Sequence, residues 1–350
     1  MKASLYRQNV VLVRPVRANE QEHALRSRIF LRLEDQGVAG YGEVAPQPVA
    51  LNGDPGTDEV LAAVDDSLAQ LKEVVEREGL LPSWVRMARL GAATPASNVA
   101  TALIEMALLD RELRVTSSTI RDLWPEKFDT SAQETVSLLD ESDWTLSESV
   151  ARVRVKSAPG SLSNRGLERL SDLKVPVLVD YNCSAATDDE VLSQMRLIGE
   201  VATVSAVEQP FKPGNVIDHA RLAAQLDVPL SIDEGVRSIR DLTQIVNYHA
   251  ATMICVKPAR VGGLSNARAL LARADELGLT AYLGGFFESP YARRVHRALA
   301  RSCVSEPSDL LNVEVQRSEY GDEVAIVESS FGVEPASEML NDAERLSVFS

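Results

Sequence analysis

Six ionisable residues in the second half of the chain each follow a short apolar run, at intervals of 24, 28, 25, 24 and 31 residues. In chain order they are Lys156, Asp180, Glu208, Asp233, Lys257 and Glu288. Such intervals accommodate one strand, one helix and two loops, so one charge is expected per βα unit. In a (β/α)8-type barrel, strand ends of this kind form the rim that holds the active site. The spacing therefore predicts a catalytic ring of lysines and carboxylates.

Three carboxylates in this ring, those of Asp180, Glu208 and Asp233, predict a shared divalent cation. A single acid after an apolar run is most often a turn or helix-capping residue. Three acids at matching strand ends would each be costly to bury unless they were paired or coordinated. Oxygen ligands favour a hard ion, so Mg²⁺ is the expected cofactor, and Mn²⁺ could substitute for it. Lys156 and Lys257 flank these ligands, so their ammonium groups are expected to face each other across the cavity.

The composition is typical of a globular protein, with 350 residues, 45% of them hydrophobic and 25% charged. That length suits a barrel with a second module. The net charge of −15 argues against nucleic acid or an anionic membrane as a partner. The three cysteines, Cys183, Cys255 and Cys303, lack CxxC spacing, so neither a disulfide framework nor a zinc site is expected. Without an apolar run of signal or membrane length, a cytoplasmic location is expected, and a homo-oligomer stays open.

Three kinds of pattern follow one another along the chain. Alternating apolar residues between about Val10 and Glu43 predict an antiparallel meander, and a loop rich in Pro and Gly follows over residues 45–56. Apolar residues at three- and four-residue spacing predict helices over about 57–112. From Glu134 onward, short Val, Leu and Ile runs alternate with amphipathic helices. This alternation predicts successive βα units on a parallel sheet.

The two ends of the predicted barrel are irregular. If residues 135–139 form its first strand and residues 153–156 its second, only about a dozen residues lie between them. The first barrel helix is therefore expected to be short or missing. Beyond the barrel, residues 311–315 and 324–327 offer two more short strands, which could return to cover the N-terminal module.

The ordered lysines and carboxylates resemble those of the enolase superfamily, muconate-lactonising subgroup, which includes o-succinylbenzoate synthases and N-acylamino acid racemases. The resemblance extends from Gly40-Tyr-Gly-Glu-Val-Ala-Pro and Ala102-Leu-Ile-Glu-Met-Ala-Leu-Leu-Asp to Lys257-Pro-Ala-Arg-Val-Gly-Gly-Leu and Gly284-Gly-Phe-Phe-Glu-Ser. It implies an α/β fold, a (β/α)7β TIM-type barrel with an α+β capping domain. The boundaries would be 1–132 for the capping domain, 133–315 for the barrel and 316–350 for a C-terminal segment that returns to the capping domain.

By this resemblance, Asp180, Glu208 and Asp233 match the metal ligands, while Lys156 and Lys257 match the acid/base pair. Removing a proton next to a carboxylate gives an enediolate with a second negative charge. A cation that touches the carboxylate oxygens stabilises this charge as it develops. A lysine can act as the base where a neighbouring cation and partial burial lower its pKa.

Further residues are expected to contact the substrate or to support the ligands: Arg154, Asn182, Glu234, Gly285, Glu288 and Leu51. Arg154 precedes Lys156 by two residues on the same strand face and stands where the family usually has lysine. It keeps the charge but cannot act as a base, so Arg154→Lys is expected to leave activity largely intact. Leu51 lies in the loop over residues 46–56, which corresponds to the segment that closes over substrate in relatives.

The leading expectation for the reaction is Mg²⁺-dependent syn-dehydration of a small carboxylate substrate to o-succinylbenzoate, which would make the protein a carbon-oxygen lyase. Lys156 would remove the α-proton, and Lys257 would stay protonated and stabilise the intermediate. Racemisation of an N-acylamino acid, or a related epimerisation or cycloisomerisation, is the alternative, with the two lysines acting from opposite faces. A non-catalytic ligand-binding barrel is a third reading. Menaquinone biosynthesis and a specialised pathway are both left open.

Two further patterns bear on the alternatives. Residues 284–291, taken as the eighth-strand position, contain no Asp-x-Asp, which disfavours a dipeptide epimerase. The histidines do not fall at predicted strand ends, so a histidine base is not expected, and most of them are expected on helix surfaces. They are His23, His219, His249 and His296.

Overall fold

The computed structural model describes residues 1–18, 21–89, 94–128, 132–137, 150–310 and 344–349. The strands are β1 (Lys2–Ala18), β2 (Gln21–Asp35), β3 (Val38–Val44), β4 (Ala132–Ser137), β5 (Val150–Lys156), β6 (Val177–Asp180), β7 (Val204–Glu208), β8 (Leu230–Ile232), β9 (Met253–Val256), β10 (Thr280–Leu283) and β11 (Glu344–Phe349). The helices are α1 (Thr57–Glu78), α2 (Trp84–Arg89), α3 (Pro95–Val115), α4 (Ile120–Leu123), α5 (Asn164–Ser171), α6 (Asp188–Gly199), α7 (Val216–Ala223), α8 (Ile239–Asn247), α9 (Leu264–Glu276) and α10 (Pro290–Cys303).

The N-terminal strands form an antiparallel sheet with the order β11-β1-β2-β3. β2 and β3 are joined by the two residues Gln36 and Gly37, whose φ angles are 53° and 77°. Positive φ at both central residues gives a hairpin turn whose twist matches that of the flanking strands. The predicted meander is therefore confirmed, and the sheet also contains the strand at the C-terminal end of the chain.

Helix α3 packs closely on β3 because two glycines leave room for its backbone. A Cβ atom on Gly42 would lie 2.1 Å from the carbonyl oxygen of Leu103, and one on Gly40 would lie 2.2 Å from that of Ala107. The helix itself begins at Pro95, a favourable first position. The Gly-Tyr-Gly pattern thus serves close helix–sheet packing.

The second sheet contains seven parallel strands in the order β10-β9-β8-β7-β6-β5-β4. Helices α5 to α9 each connect two successive strands, and α10 follows β10. The backbone N–H of Asp309 donates to the carbonyl oxygen of Leu283 at 2.9 Å, so the chain continues beside β10 at an eighth position. This curled parallel sheet with its capping sheet confirms the predicted fold class. Residues 284–291 follow the seventh strand, so their assignment to the eighth was wrong.

Several predictions about connections fall outside the described residues. The first barrel helix would lie within residues 138–149, and the two late strands within residues 311–343. β11 pairs antiparallel with β1, with Ala3 opposite Phe349. The domain boundaries at residues 132 and 315 stay predictions.

Two buried glutamates of the capping module hold helices of the barrel. Glu105 on α3 accepts hydrogen bonds from the backbone N–H groups of Leu264 and Ser265, the latter at 2.9 Å, at the start of α9. Glu43 on β3 accepts from the backbone N–H of Ser289 at 2.6 Å, at the start of α10. Carboxylates are favourable at helix N-termini because unpaired N–H groups and the helix dipole meet there. None of the described helices is long and apolar enough to cross a membrane.

Candidate active site

The barrel sheet brings five of the six predicted ring residues to one rim. In the strand register, Lys156 lies opposite Asp180, and Asp180 lies opposite Glu208. Asp233 and Lys257 each come directly after the last residue of their strands, β8 and β9. Since parallel strands end at the same edge of a sheet, these side chains share the carboxyl-terminal rim.

The three carboxylates converge on one guanidinium group. Asp180, Glu208 and Asp233 are each 0% exposed. Nη2 of Arg154 lies 2.6 Å from Oδ2 of Asp180 and 3.5 Å from Oδ2 of Asp233, and it forms an ion pair with Oε1 of Glu208. Nη1 of the same arginine lies 3.1 Å from Oδ2 of Asp309. Arg154 therefore lies at the centre of the carboxylate cluster as well as before the lysine on its strand.

The carboxylates differ in their protonation. Burial opposes ionisation of Asp180, but Arg154 and Lys156 together outweigh it and the pKa of Asp180 is lowered. Burial likewise opposes ionisation of Asp233, yet Arg260 and other cations hold its pKa well below the ordinary value. For Glu208, burial dominates and raises the pKa to about 8. The cluster thus contains two ionised carboxylates and a third that lacks sufficient positive charge around it.

These residues fit a hard divalent cation. Three buried carboxyl groups offer oxygen ligands, and Glu208 in particular would gain from a further positive charge. The thiol of Cys255 also has its sulfur within 4.8 Å of carboxylate oxygens of Glu208 and Asp233. Burial raises the pKa of this thiol well above its ordinary value, so it stays neutral and is a poor ligand for Mg²⁺. Asp180 would therefore be a better third ligand than Cys255 for such an ion.

The two lysines have different surroundings. Nζ of Lys156 donates to Oδ1 of Asn182 at 2.7 Å and to Oδ2 of Asp180 at 3.2 Å. Nζ of Lys257 donates to Oδ2 of Asp233 at 2.8 Å and lies 4.9 Å from the ring centroid of Phe286. Burial lowers the pKa of Lys257, but the groups that favour its charge, Asp233 first among them, together give a net upward shift. Lys257 is therefore held as an ammonium group.

A layer of polar side chains connects this rim to the loop over residues 46–56. Nδ2 of Asn52 donates to the carbonyl oxygen of Asn182 at 3.1 Å and to Oε1 of Glu234 at 3.4 Å. Burial, with Asp233 beside it, raises the pKa of Glu234 to about 7. Asn182 and Glu234 thus lie between the carboxylate cluster and the loop, and their role as substrate contacts stays a prediction.

The other predicted contacts lie outside the cluster. Oε2 of Glu288 accepts from the backbone N–H of Phe286 at 2.8 Å and lies 3.8 Å from Nε of Arg293. Glu288 therefore stabilises the loop that follows β10. Gly285 lets this carboxylate approach, because a Cβ atom there would lie 2.6 Å from Oε2 of Glu288. Leu51 exchanges backbone hydrogen bonds with Asp54 in a turn of the loop.

Sequence reasoning missed a buried ion pair that joins the loop to the barrel. Nε and Nη2 of Arg260 donate to the two carboxylate oxygens of Asp54 at 2.9 and 2.7 Å. Nη1 of Arg260 donates to Oδ1 of Asp233 at 2.5 Å. The position of Arg260, three residues after Lys257, could have indicated that it lies near the rim. No pattern in the sequence around Asp54 indicates that it pairs with Arg260.

Three further residues differ from expectation or were missed. The hydroxyl of Tyr282, inside β10, donates to Oε2 of Glu208. His219 and His296 are 3% and 2% exposed, so the expectation that most histidines lie on helix surfaces was wrong for these two. Burial lowers the pKa of both, which keeps them neutral. His249 follows α8 and is exposed.

The fold and the rim define a capped parallel barrel with carboxylates and lysines at its carboxyl-terminal edge. Residues 167–333 match the family model described as enolase C-terminal domain-like. An N-succinylamino acid racemase from Amycolatopsis sp. is 27% identical over 316 residues, which are 85% of this chain and 81% of that protein. An o-succinylbenzoate synthase from Bacillus subtilis (strain 168) is 25% identical over the same shares of both chains.

The fold comparison agrees with these similarities. The crystal structure of an enolase superfamily member from Listeria innocua superposes with a TM-score of 0.80 at 19% identity. The match covers 99% of this chain and 97% of that one. The chain is therefore similar over most of its length to members of the enolase superfamily and shares their fold.

Proposed function

We propose that this protein removes a proton α to a substrate carboxylate and that its main reaction is the syn-dehydration that forms o-succinylbenzoate. The observation that carries the proposal is the unequal setting of the two lysines. Lys257 is 7% exposed, paired with Asp233 and held over the ring of Phe286. Lys156 is more exposed, and its shorter hydrogen bond, at 2.7 Å, goes to the neutral amide of Asn182, while Asp180 lies at 3.2 Å. One base beside one fixed ammonium group suits dehydration.

In this mechanism Lys156, in its neutral form, accepts the α-proton as the C–H bond breaks. The electron pair enters the enediolate, and the positive charge of Lys257 stabilises the oxygens on which negative charge develops. Lys156 then returns the proton to the departing hydroxyl, which leaves as water when the C–O bond breaks. A divalent cation held by Asp180, Glu208 and Asp233 would supply further electrostatic stabilisation.

Racemisation of an N-succinylamino acid is the second candidate. It is supported by the similarity to the Amycolatopsis racemase and by the presence of a lysine on each side of the cluster. Racemisation requires Lys257 to give up and regain a proton, which its pair with Asp233 opposes. Dehydration makes no such demand, so we rank it first.

The proposal is tested by incubating the purified protein with the cyclohexadiene precursor of o-succinylbenzoate and measuring product by chromatography. We expect turnover with Mg²⁺, loss of turnover after chelation and recovery when Mg²⁺ is restored. The triple variant Asp180→Ala, Glu208→Ala and Asp233→Ala should bind no Mg²⁺ in calorimetry. Turnover that survives chelation, or Mg²⁺ binding by the triple variant equal to that of wild type, would contradict the assignment of the ligands.

A further inference from the structure

Arg26 of the capping sheet lies at the meeting point of three segments. It is 3% exposed and lies on β2, two residues before Arg28 and on the same face of the strand. Its guanidinium carbon is 4.2 Å from the ring centroid of Phe287, which follows β10 of the barrel. Its Nη1 donates to Oε1 of Gln47, at the start of the loop over residues 46–56.

The charge of Arg26 is buried without an acidic partner among the described residues. No described carboxylate forms an ion pair with it, and its Nε has no hydrogen-bond acceptor in that part of the chain. Burial lowers the pKa of Arg26 to about 10. By contrast, Arg154 and Arg260 each contact two or more carboxylates. A desolvated guanidinium is costly unless an anion compensates it.

Two sets of contacts through neighbouring residues link Arg26 to the candidate active site. Phe287, under Arg26, is adjacent to Phe286, whose ring lies 4.9 Å from Nζ of Lys257. Gln47, which accepts from Arg26, begins the loop in which Asn52 contacts the backbone of Asn182. Arg26 and the candidate active site therefore share two neighbouring segments, residues 286–287 and the loop over residues 46–56.

We infer that Arg26 binds a second carboxylate of the substrate, at the end remote from the reacting carbon. This inference rests on the proposed function, because the succinyl group of the dehydration substrate and that of an N-succinylamino acid both end in such a carboxylate. The anion would supply the missing partner of Arg26, and Gln47 and Phe287 would fix the plane of the guanidinium. A planar guanidinium suits two parallel hydrogen bonds to one carboxylate.

The test compares each succinyl substrate with the analogue whose terminal carboxylate is replaced by a carboxamide of the same size. For wild type, we expect kcat/KM to be roughly 10- to 100-fold higher with the carboxylate, as is usual for a buried charge-assisted pair. In Arg26→Met this preference should vanish through a higher KM for the carboxylate alone. Arg32→Met is the matched control on the same strand, since Arg32 pairs with Glu34 at 2.6 Å, and it should keep the preference.

Thermal unfolding separates this role from a structural one. Arg26→Met removes an uncompensated charge and leaves an apolar chain on Phe287, so its melting temperature should equal or exceed that of wild type. Arg26→Lys should keep part of the preference for the carboxylate. A preference that persists in Arg26→Met would overturn the inference.

The remaining outcomes distinguish the subsite from the reaction. If wild type turns over the succinyl substrate and its carboxamide analogue with equal kcat/KM, the subsite is overturned and the proposed function stands. If wild type turns over neither, melting temperatures are measured with o-succinylbenzoate and its terminal carboxamide. If o-succinylbenzoate raises the melting temperature of wild type more than its carboxamide does, and this difference is lost in Arg26→Met, the subsite is supported and only the proposed reaction is overturned. Equal increases, or none, overturn both.

Discussion

Lys156 and Lys257 lie on opposite sides of the carboxylates on one rim, and Lys257 has the shorter carboxylate contact, 2.8 Å against 3.2 Å, as well as an aromatic ring beside it. We therefore expect Lys156→Ala to abolish dehydration, with a loss in kcat of at least roughly 10²- to 10⁴-fold, because it removes the base. Lys257→Ala should lower kcat severely by removing charge from the intermediate. Steady-state kinetics with the cyclohexadiene precursor would measure both losses.

The matched control for these variants is Lys174→Ala, which removes an exposed lysine before β6, at the opposite end of the barrel. Its kcat and KM should equal those of wild type. If Lys156→Ala retains dehydration at a rate similar to that of Lys174→Ala, Lys156 is not the base.

Arg154 uses its two terminal nitrogens at separate sites: Nη2 contacts the three clustered carboxylates, and Nη1 contacts Asp309. A lysine has a single nitrogen and cannot bridge both sites, so the structure gives a different expectation from the family pattern. We now expect Arg154→Lys to lower kcat/KM by roughly 10- to 100-fold, the usual effect of losing one buried charged hydrogen bond. Arg121→Lys, at an exposed position, is the control. Activity equal to wild type would show that the bridge to Asp309 has no catalytic role.

The loop over residues 46–56 is held against the barrel by side chains at its tip. Asn52 contacts Asn182 and Glu234, and it has a φ of 51°, which asparagine tolerates better than most residues. Asn52→Ala should raise KM several-fold with little change in kcat or in Mg²⁺ affinity, because it loosens the loop without touching the ligands. Asp58→Asn, exposed at the start of α1, is the control. An unchanged KM for Asn52→Ala would mean that the loop does not set substrate binding.

Helix α3 is coupled to α9 through Glu105, whose pKa burial raises from 4.5 to about 7. Because the folded state binds this proton more tightly than the unfolded state, Glu105 favours folding below pH 4.5 and this contribution is lost as the pH rises to 7. The loss amounts to at most about 3 kcal/mol. From pH 5 to pH 8, wild type should therefore lose more stability than Glu105→Gln.

Melting temperatures at the two pH values measure this difference. Glu112→Gln, which alters an exposed residue of the same helix, should follow wild type. Parallel pH profiles for wild type and Glu105→Gln would contradict the account of this helix contact.

At the scale of the whole molecule, the sequence predicted what depends on local pattern. Apolar periodicity located the meander and the βα units, and the charges that follow apolar runs marked the rim, because strand ends align in a parallel sheet. Contacts between distant segments were not predictable in this way. Asp54 and Arg260 are 206 residues apart, and only the docking of the loop on the barrel brings them together. The burial of His219 and His296 likewise depends on which helix face meets a neighbour.

The central claim is that dehydration, not racemisation, is the main reaction. It is tested most directly by one ¹H NMR experiment on two samples in D₂O with Mg²⁺. Equal amounts of wild type are given the cyclohexadiene precursor in one sample and N-succinyl-phenylglycine in the other. We predict rapid formation of o-succinylbenzoate in the first sample, and α-proton exchange in the second whose kcat/KM is far lower. Rapid exchange of deuterium into N-succinyl-phenylglycine with loss of optical activity, and no turnover of the cyclohexadiene, would contradict the dehydratase assignment and favour the racemase.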